Sequence, residues 1–295
     1  MREFTEQELV RREKVEEIRK VCNPYPERYD VNYTLKEASQ LADETKDVRV
    51  AGRIVFMRKM GKLSFVKIRD MEGDLQISIK IDLVGEEKYE FFKSLVDIGD
   101  FIGVDGEMFT THTGEKTLRA NDFTFLGKAL KPLPEKFHGV TDPEICYRNR
   151  YLDLIMNEET RKRFLLKYEF IKEIRRFLEE DGYIEIETPV LSNKASGASA
   201  RPFTAHHNAL DIDVYLRIAP ETYLKRAVVG GFNKVFEFAR CFRNEGIDAT
   251  HLQDFTMLEC YAAYYNYKDN MILLENMLKT VIKKVFGSLL ITINE

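Results

Sequence analysis

The sequence predicts an α+β protein with two domains, a small N-terminal β-barrel followed by an antiparallel sheet that packs with helices. From Val48 to about Gly127, apolar and polar residues alternate with the period of two that β-strands show. After about residue 150, apolar residues recur first at helical spacing and then in short alternating runs. A chain of 295 residues that is 44% hydrophobic holds enough apolar material for two such cores.

The sequence argues against a membrane-spanning, secreted or disulfide-rich protein. The net charge of -4 neither indicates nor excludes a nucleic-acid partner, because a local basic patch is sufficient to bind phosphates. No apolar run approaches the roughly 18 residues of a membrane span, and the charged N-terminus is unlike a signal peptide. The four cysteines form no C-x-x-C pair. We therefore expect a cytoplasmic protein with reduced thiols and no membrane contact.

An N-terminal extension, residues 1–45, precedes the predicted barrel. The stretch from Thr5 to about Val21 is rich in Glu, Arg and Lys with sparse apolar positions, which is typical of a solvated surface helix. An RNA-contacting helix is the alternative. Pro24 and Pro26 end the helix because proline lacks the required N–H.

Residues 46–130 have the pattern of a barrel. Glycines interrupt about five short strands, and one helical stretch, EEKYEFFKSLVDIG, lies among them. This arrangement favours an OB-fold, a barrel that often binds single-stranded nucleic acid, over other small barrels. A linker over 131–150, rich in proline, follows, and we place the domain boundary near Phe137.

The second domain, residues 151–295, begins with a long amphipathic helix that ends at Gly182. A strand, YIEIETPVL, then reaches Pro189. The last helix is expected to start at Asp269 as its N-cap, and a further strand to start in SLLITINE. Between them the sequence predicts strands in DVYLRIA, VFEFARCFRN and DFTMLECYAAY, and a helix in PETYLKRAVVGG.

Two of these strands form a hairpin whose loop runs roughly from Asn244 to Gln253, and this hairpin carries the candidate chemistry. Arg243 closes the first strand, where its guanidinium suits phosphate oxygens. A structural ion pair between Arg243 and a nearby glutamate is the alternative. Glu245 and His251 lie in the loop. Because side chains alternate along a strand, the second strand presents four residues on one face, namely Phe255, Met257, Glu259 and Tyr261.

These segments resemble a known enzyme family over essentially the whole chain. FRNEG with F-T-M-L-E-x-Y is similar to motif 2 of class II aminoacyl-tRNA synthetases, and GYIEIETPVL resembles motif 1. RIAPETYLKRAVVGGF, ARPFTAHHN and RYLDLI are most similar to the lysine-specific members, and MGKLSFVKIRD resembles their anticodon-binding domain. The resemblance implies an OB-fold domain followed by the first part of a class II catalytic domain.

The resemblance also implies roles for the hairpin residues in binding nucleotide. Arg243 would bind the ATP α-phosphate and the amino-acid carboxylate, and would be the catalytic residue. Glu245 and His251 would hold the nucleotide, and Phe255 would stack on adenine. ATP and Mg²⁺ are the implied cofactors, with the metal ligands expected beyond residue 295 and none within this chain.

A second set of residues would bind lysine. The resemblance implies that Glu221 and the backbone at Gly197 hold the α-amino group, with Arg243 at the carboxylate. Glu259 and Tyr261 would face the ε-ammonium, and a carboxylate with a phenol satisfies a buried cation.

The barrel would read the anticodon of tRNA(Lys). The resemblance places Phe65, Gln76 and Glu115 on base-reading positions, where an aromatic ring stacks on a splayed base. Lysine, ATP and tRNA(Lys) are thus the implied ligands, and motif 1 implies a homodimer. The implied reaction is lysine activation by ATP and transfer to tRNA(Lys).

The sequence departs from the family pattern in three places. THLQDFT stands where many members have His-Asn-Pro-Glu-Phe-Thr, and Ser196-Gly197 stands where Gly-Gly is usual. The motif 3 arginine is not found before Glu295, so we expect this chain to be inactive alone. Two other interpretations stay open: an aspartyl- or asparaginyl-type synthetase, which the acidic Glu221 and Glu259 disfavour, and a non-catalytic tRNA-binding or assembly module.

Overall fold

The structure is a computed structural model that describes residues 3–133, 142–248 and 250–290. The chain divides into two compact units, Met1–Met156 and Asn157–Glu295. Phe137, the predicted boundary, and the middle of the 131–150 linker lie outside the described residues. Across the described helices, none is both long enough and apolar enough to cross a bilayer.

The first unit contains a closed five-stranded barrel, which agrees with the predicted OB-fold. Its strands follow the order β1-β2-β3-β5-β4, and β4 returns to pair with β1. Because the barrel closes, none of its strands is left as a long unpaired edge. The elements of this unit are α1 (Glu6–Val21), α2 (Leu35–Gln40), β1 (Val48–Met60), β2 (Leu63–Arg69), β3 (Asp74–Lys80), α3 (Ile81–Val84), α4 (Glu86–Leu95), β4 (Phe101–Thr110), β5 (Lys116–Gly127), α5 (Pro143–Arg148) and α6 (Arg150–Met156).

The alternation along β2 decides which side chains the barrel presents to solvent. Val66 and Ile68 are buried in the core, and their neighbours Phe65 and Lys67 point outward. The core is apolar and contains Ile54, Ile77, Ile102 and Leu118 among others. An outward strand face with an aromatic and a basic side chain is therefore available for a ligand.

The N-terminal helix α1 packs on the barrel, although its sequence is typical of a solvated helix. Ile18 is fully buried in the barrel core. Lys14 pairs with Asp97 at 2.7 Å. The Asp97 carboxylate also accepts a hydrogen bond from the Lys128 ammonium. That ammonium lies 2.8 Å from Asp100, and the side chains of Lys128 and Asp100 are fully buried. The buried Lys128–Asp100 pair belongs to the barrel, and α1 is held on the barrel by the burial of Ile18 and by the Lys14–Asp97 pair.

The second unit contains two three-stranded sheets, with strand orders β11-β10-β6 and β7-β9-β8. β10 pairs antiparallel with β11, as predicted, whereas β6 joins β10 in parallel. The elements are α7 (Glu158–Glu180), β6 (Ile184–Glu185), β7 (Leu191–Ser192), β8 (Thr204–His207), β9 (Ile212–Leu216), α8 (Glu221–Val229), β10 (Lys234–Phe242), β11 (Asp254–Ala262) and α9 (Tyr267–Phe286).

Three predicted element boundaries need correction or fall outside the described residues. The predicted strand in YIEIETPVL does not reach Pro189: β6 ends at Glu185 and pairs with β10, and a separate short strand, β7, begins at Leu191 and pairs with β9. The N-cap of α9 is Asn266 rather than Asp269, since Asn266 accepts from the Asp269 N–H in a capping box. Most of the expected strand in SLLITINE, residues 291–295, lies outside the described residues.

One face of the β10–β11 hairpin is covered and the other carries the polar residues. Helices α7 and α9 pack on Phe236, and Ile174, Leu178, Met277 and Val281 complete that core. In the antiparallel register, Glu237 lies opposite Glu259 and Cys241 lies opposite Phe255, so these four residues share the other face. That face is where the predicted active site lies.

Candidate active site

Arg243 directly follows β10, and the structure places it beside Phe255. Its backbone N–H donates to the Gln253 carbonyl at 2.8 Å, which closes the loop next to β11. Its guanidinium carbon lies 5.1 Å from the centroid of the Phe255 ring. The Nε atom is buried and has no hydrogen-bond partner in the described part of the chain. Leaving a buried charged donor unpaired is costly, so this arginine is suited to an anionic ligand.

The loop residues Glu245 and His251 have different surroundings. Glu245 accepts a 3.2 Å hydrogen bond from the backbone N–H of Arg201, and Asn244 donates to the Arg201 carbonyl at 2.8 Å. His251 is exposed, and its Nδ1 lies 2.7 Å from an Asp248 oxygen. The described contacts therefore join Glu245 to a neighbouring segment and keep His251 within the loop.

Asp248 organises the loop around His251. The pKa of the Asp248 carboxyl lies well below its usual range because the carboxylate accepts hydrogen bonds. The largest effect comes from the Thr250 backbone N–H, and smaller ones come from the Thr250 hydroxyl and from His251. The ionised carboxylate can therefore accept the bonds from Thr250 that shape this part of the loop. Asp254, whose role the sequence left open, lies 3.5 Å from Arg240 in an ion pair at the start of β11.

Glu259 and Tyr261 form a joined pair on β11. The Tyr261 hydroxyl donates to Oε2 of Glu259 at 2.9 Å. Burial raises the pKa of the Glu259 carboxyl above its usual value, and the carboxylates of Glu221 and Glu237 add to the rise. The Tyr261 hydrogen bond and the Lys225 ammonium act in the opposite direction. Glu259, Glu221 and Glu237 thus lie near one another with the Lys225 ammonium among them, and an excess of acidic groups favours a cationic ligand.

Gly197 and Glu221 are brought together, as the predicted α-amino site requires. Gly197 has φ +89, and a Cβ added there would lie 2.9 Å from Cβ of Glu221 and 3.1 Å from Cβ of Ala219. The backbone of Gly197 therefore approaches Glu221 as closely as only glycine permits.

Lys225 is a residue of this region that sequence reasoning missed. Its ammonium pairs with Glu221 at 2.7 Å and lies 5.7 Å from the centroid of the Tyr261 ring. The signal was the i, i+4 spacing of a glutamate and a lysine on a predicted helix. The Lys225 ammonium, a positive charge of the protein itself, thus lies beside Glu221 and Tyr261, two of the predicted lysine-binding residues.

Two buried residues were also missed. Arg217 pairs with Glu237 at 2.7 Å, and their side chains are only 7% and 6% exposed. Strand alternation in VFEFARCF could have placed Glu237 on the same face as Ala239, but the partner of a buried charge cannot be read from sequence. These residues border a cavity of about 710 Å³.

The three predicted anticodon residues lie in the barrel, on β2, β3 and the turn before β5. Phe65 is half-buried on the outward face of β2. Lys67, two residues on, is opposite Gln76 in the β2–β3 register, and its ammonium lies 3.6 Å from Glu115. Gln76 donates to the Thr117 hydroxyl at 2.8 Å. Register and the Lys67 contact thus bring all three to one outward face.

In the ranges 3–133, 142–248 and 250–290, no group of three His, Cys, Asp or Glu side chains could hold a metal ion.

Comparison with known proteins identifies both parts of the chain. Residues 142–292 match the family described as tRNA synthetases class II (D, K and N), and residues 48–126 match the OB-fold nucleic acid binding domain.

Curated relatives named lysine–tRNA ligase align with nearly the whole chain. The protein from Enterococcus faecalis is 48% identical over 302 residues, which are 99% of this chain and 60% of the relative. Those from Streptococcus pneumoniae and Bacillus cytotoxicus are 47% and 45% identical over 97% and 99% of this chain, again 60% of each relative. The chain thus spans about 60% of the length of these relatives. Because the family match covers just over half of the chain and includes the hairpin with Arg243 and Glu259, the chain belongs to the class II tRNA synthetases of the D, K and N group.

Proposed function

We propose that this chain provides the anticodon-binding barrel and the lysine- and ATP-binding hairpin of a lysine–tRNA ligase. Such an enzyme activates lysine with ATP and transfers it to tRNA(Lys). One observation carries the proposal. One face of the β10–β11 hairpin has Arg243, with a buried donor that no described residue uses, beside Phe255 at one end of β11, and the acidic Glu259–Tyr261 pair toward the other end.

The arginine end suits the reacting phosphate and carboxylate. Arg243 lies beside Phe255, so a nucleotide whose base stacks on that ring would bring its α-phosphate toward the guanidinium. The unpaired Nε supplies a donor that a phosphate or carboxylate oxygen would satisfy. Glu245 and His251 are proposed to hold the rest of the nucleotide.

The acidic end suits the side chain of lysine. Phe255 and Glu259 are four residues apart, roughly 13 Å along a strand, so two parts of one extended ligand could be bound at once. Glu259 and Tyr261 offer a carboxylate and a hydroxyl oxygen to the ε-ammonium, and Glu221 with the Gly197 backbone would bind the α-amino group. An aspartate side chain would meet like charges here, which disfavours the aspartyl- and asparaginyl-type alternatives.

The proposed chemistry needs no protein nucleophile. A lysine carboxylate oxygen attacks the α-phosphorus of ATP, the bond to pyrophosphate breaks, and lysyl-adenylate forms. The terminal ribose hydroxyl of tRNA(Lys) then attacks the acyl carbon and releases AMP. Arg243 would align the carboxylate with the α-phosphate and stabilise the charge that develops on the phosphorus oxygens. Mg²⁺ is proposed to accompany ATP and to neutralise its phosphates.

The remaining expectations are also part of the proposal. Phe65, Gln76 and Glu115 would read the anticodon on the outward barrel face. The motif 1 segment, formed by α7 and the stretch that reaches Pro189, would join two copies of the chain in a homodimer. A cytoplasmic location follows from the tRNA substrate.

A chimera tests the proposal. It joins this chain to the part of the Enterococcus faecalis lysine–tRNA ligase that the chain does not match. We expect lysine-dependent exchange of pyrophosphate into ATP, which Arg243→Ala abolishes and which aspartate does not support. The unmodified E. faecalis enzyme is the control for assay conditions. Exchange that depends on aspartate or asparagine instead of lysine would refute the proposal.

A further inference from the structure

We infer that Arg217, a buried arginine immediately after β9, positions Arg243 by fixing the end of β10. The inference rests on the proposed role of Arg243 in anion binding. Arg217 itself is not placed against any ligand, so it is a positioning residue rather than a catalytic one.

Arg217 holds the backbone of β10 at two points. Its carbonyl accepts from the Phe242 N–H at 2.9 Å, and its Nε donates to the Arg240 carbonyl at 2.8 Å. The parallel strand β6 pairs with β10 only at Val235 and Phe236. Arg217 therefore satisfies backbone groups on the edge that β6 leaves open, just before Arg243.

Arg217 is itself held from several directions. Its Nη1 donates to Oε1 of Glu237 at 2.7 Å and to the carbonyl and hydroxyl oxygens of Thr188 at 3.0 and 2.9 Å. The Thr188 hydroxyl donates to the second oxygen of Glu237 at 2.6 Å. The Arg217 backbone N–H donates to the Val190 carbonyl at 2.9 Å. A planar guanidinium held at this many points has little freedom to move.

The position of the Arg243 backbone matters because few contacts of the side chain hold the guanidinium in place. Its Nε has no hydrogen-bond partner among the described residues, and its guanidinium carbon lies 5.1 Å from the centroid of the Phe255 ring. The strand end is therefore fixed by two backbone bonds, from Phe242 to Arg217 and from Arg243 to Gln253. A displacement of about 1 Å at a reacting group can reduce the rate roughly 100-fold.

A purely structural role for Arg217 is the alternative, and Arg175 provides a matched control. Arg175 on α7 makes two hydrogen bonds to Glu185, at 2.6 and 3.0 Å, and its guanidinium lies 4.8 Å from the Phe238 ring. It borders the same cavity as Arg217. Its described contacts do not include the backbone of residues 240–243.

The test compares Arg217→Lys with Arg175→Lys in the full 295-residue chain. Lysine keeps the charge, but its single nitrogen cannot occupy the positions of both Nε, which bonds the Arg240 carbonyl, and Nη1, which bonds Glu237 and Thr188. We expect Arg217→Lys to move the NMR resonances of the Arg243 backbone amide and Nε–H. It should also weaken ATP binding, measured by calorimetry, by about 5- to 100-fold. Arg175→Lys should lower the melting temperature but leave the Arg243 resonances and the ATP affinity unchanged.

Thr188→Val serves as a second variant if Arg217→Lys does not fold. It removes one acceptor of Arg217 and one donor to Glu237, so it should move the same resonances by a smaller amount. Unchanged Arg243 resonances in both variants, or equal changes in Arg175→Lys, would overturn the inference. If the unmodified chain binds no ATP, the proposed nucleotide role fails, while the Arg243 resonances still decide whether Arg217 positions that residue.

Discussion

The Tyr261 hydroxyl donates a 2.9 Å hydrogen bond to one carboxylate oxygen of Glu259, two residues earlier on the same face of β11. This bond stabilises the ionised form of a carboxyl that burial and the charges of Glu221 and Glu237 make harder to ionise. The pair therefore offers a negative group of fixed orientation. Such a group is what an ammonium ion needs when it leaves water.

Glu259→Gln should weaken lysine binding by about 1–3 kcal/mol. Loss of one partner of a fully buried charge pair costs about 2–5 kcal/mol, and we expect less because Glu259 is only half-buried and solvent screens it. Calorimetric titration of the chain with L-lysine measures the change. Glu275→Gln, a change at an exposed carboxylate on α9, is the control and should have no effect. Equal lysine affinity in Glu259→Gln would show that this carboxylate does not bind the ligand.

Lysine binding should weaken as the pH falls, and the loss should begin at a higher pH than it would if Glu259 had the pKa of an ordinary glutamate. The pKa of Glu259 is raised, mainly by burial, so its carboxyl takes up a proton before an exposed one does. The binding-competent charge is present above that pKa and is lost as pH falls through it. Glu221 and Glu237 raise the pKa, and Lys225 and the Tyr261 hydroxyl lower it.

Tyr261→Phe tests the sign of this shift. It removes a hydrogen bond that lowers the pKa of Glu259 and keeps the aromatic ring. The midpoint of lysine binding against pH should therefore move to higher pH, and titrations across the acidic range locate it. A midpoint that moves to lower pH would contradict the assignment of Glu259 as the titrating group.

Gly197→Ala should abolish lysine binding as well as reduce stability. The new Cβ would lie 2.9 Å from Cβ of Glu221, so that residue must move, and the backbone has a φ that L-residues rarely adopt. Gly182→Ala is the matched control, because its φ of +83 is equally unfavourable but no atom lies within 4 Å of the added Cβ. Both variants should lose about 1–2 kcal/mol from the backbone change. Loss of lysine binding in both, or in neither, would contradict the proposed contact.

The hairpin and its functional face could be predicted from sequence because the governing pattern is local. Alternation alone places Phe255, Glu259 and Tyr261 on one side of β11, and β10 ends at Phe242, one residue before the predicted end at Arg243. The barrel strands were predictable for the same reason. Glycines at the breaks and alternation between them are local signals.

Contacts between distant segments could not be predicted. The Arg217–Glu237 pair joins residues 20 positions apart, and neither the burial of a charge nor its partner has a sequence period. The division of YIEIETPVL into two strands depends on which strands each half meets in the fold. Asn266 takes the N-cap of α9, and Asp269, the predicted cap, fills the third position of its capping box instead.

Phe65→Ala should weaken binding of tRNA(Lys) to the chain by about 1–3 kcal/mol, the usual contribution of one stacked base. Filter binding measures the loss, which should disappear when the tRNA has a scrambled anticodon. Phe101→Ala is the control, because Phe101 is also partly exposed but lies at the start of β4, where the Arg53 guanidinium covers its ring at 4.2 Å. Equal losses from the two changes would mean that Phe65 does not read a base.

Calorimetric titration of this chain with L-lysine and, separately, with L-aspartate tests the central claim most directly. Glu221 and Glu259 lie in an acidic region that includes Glu237, and like charges brought together there cost several kcal/mol. We predict saturable binding of lysine and an affinity for aspartate that is lower by about 100-fold or more. Binding of aspartate as tight as that of lysine would contradict the assignment of this hairpin to a lysine–tRNA ligase.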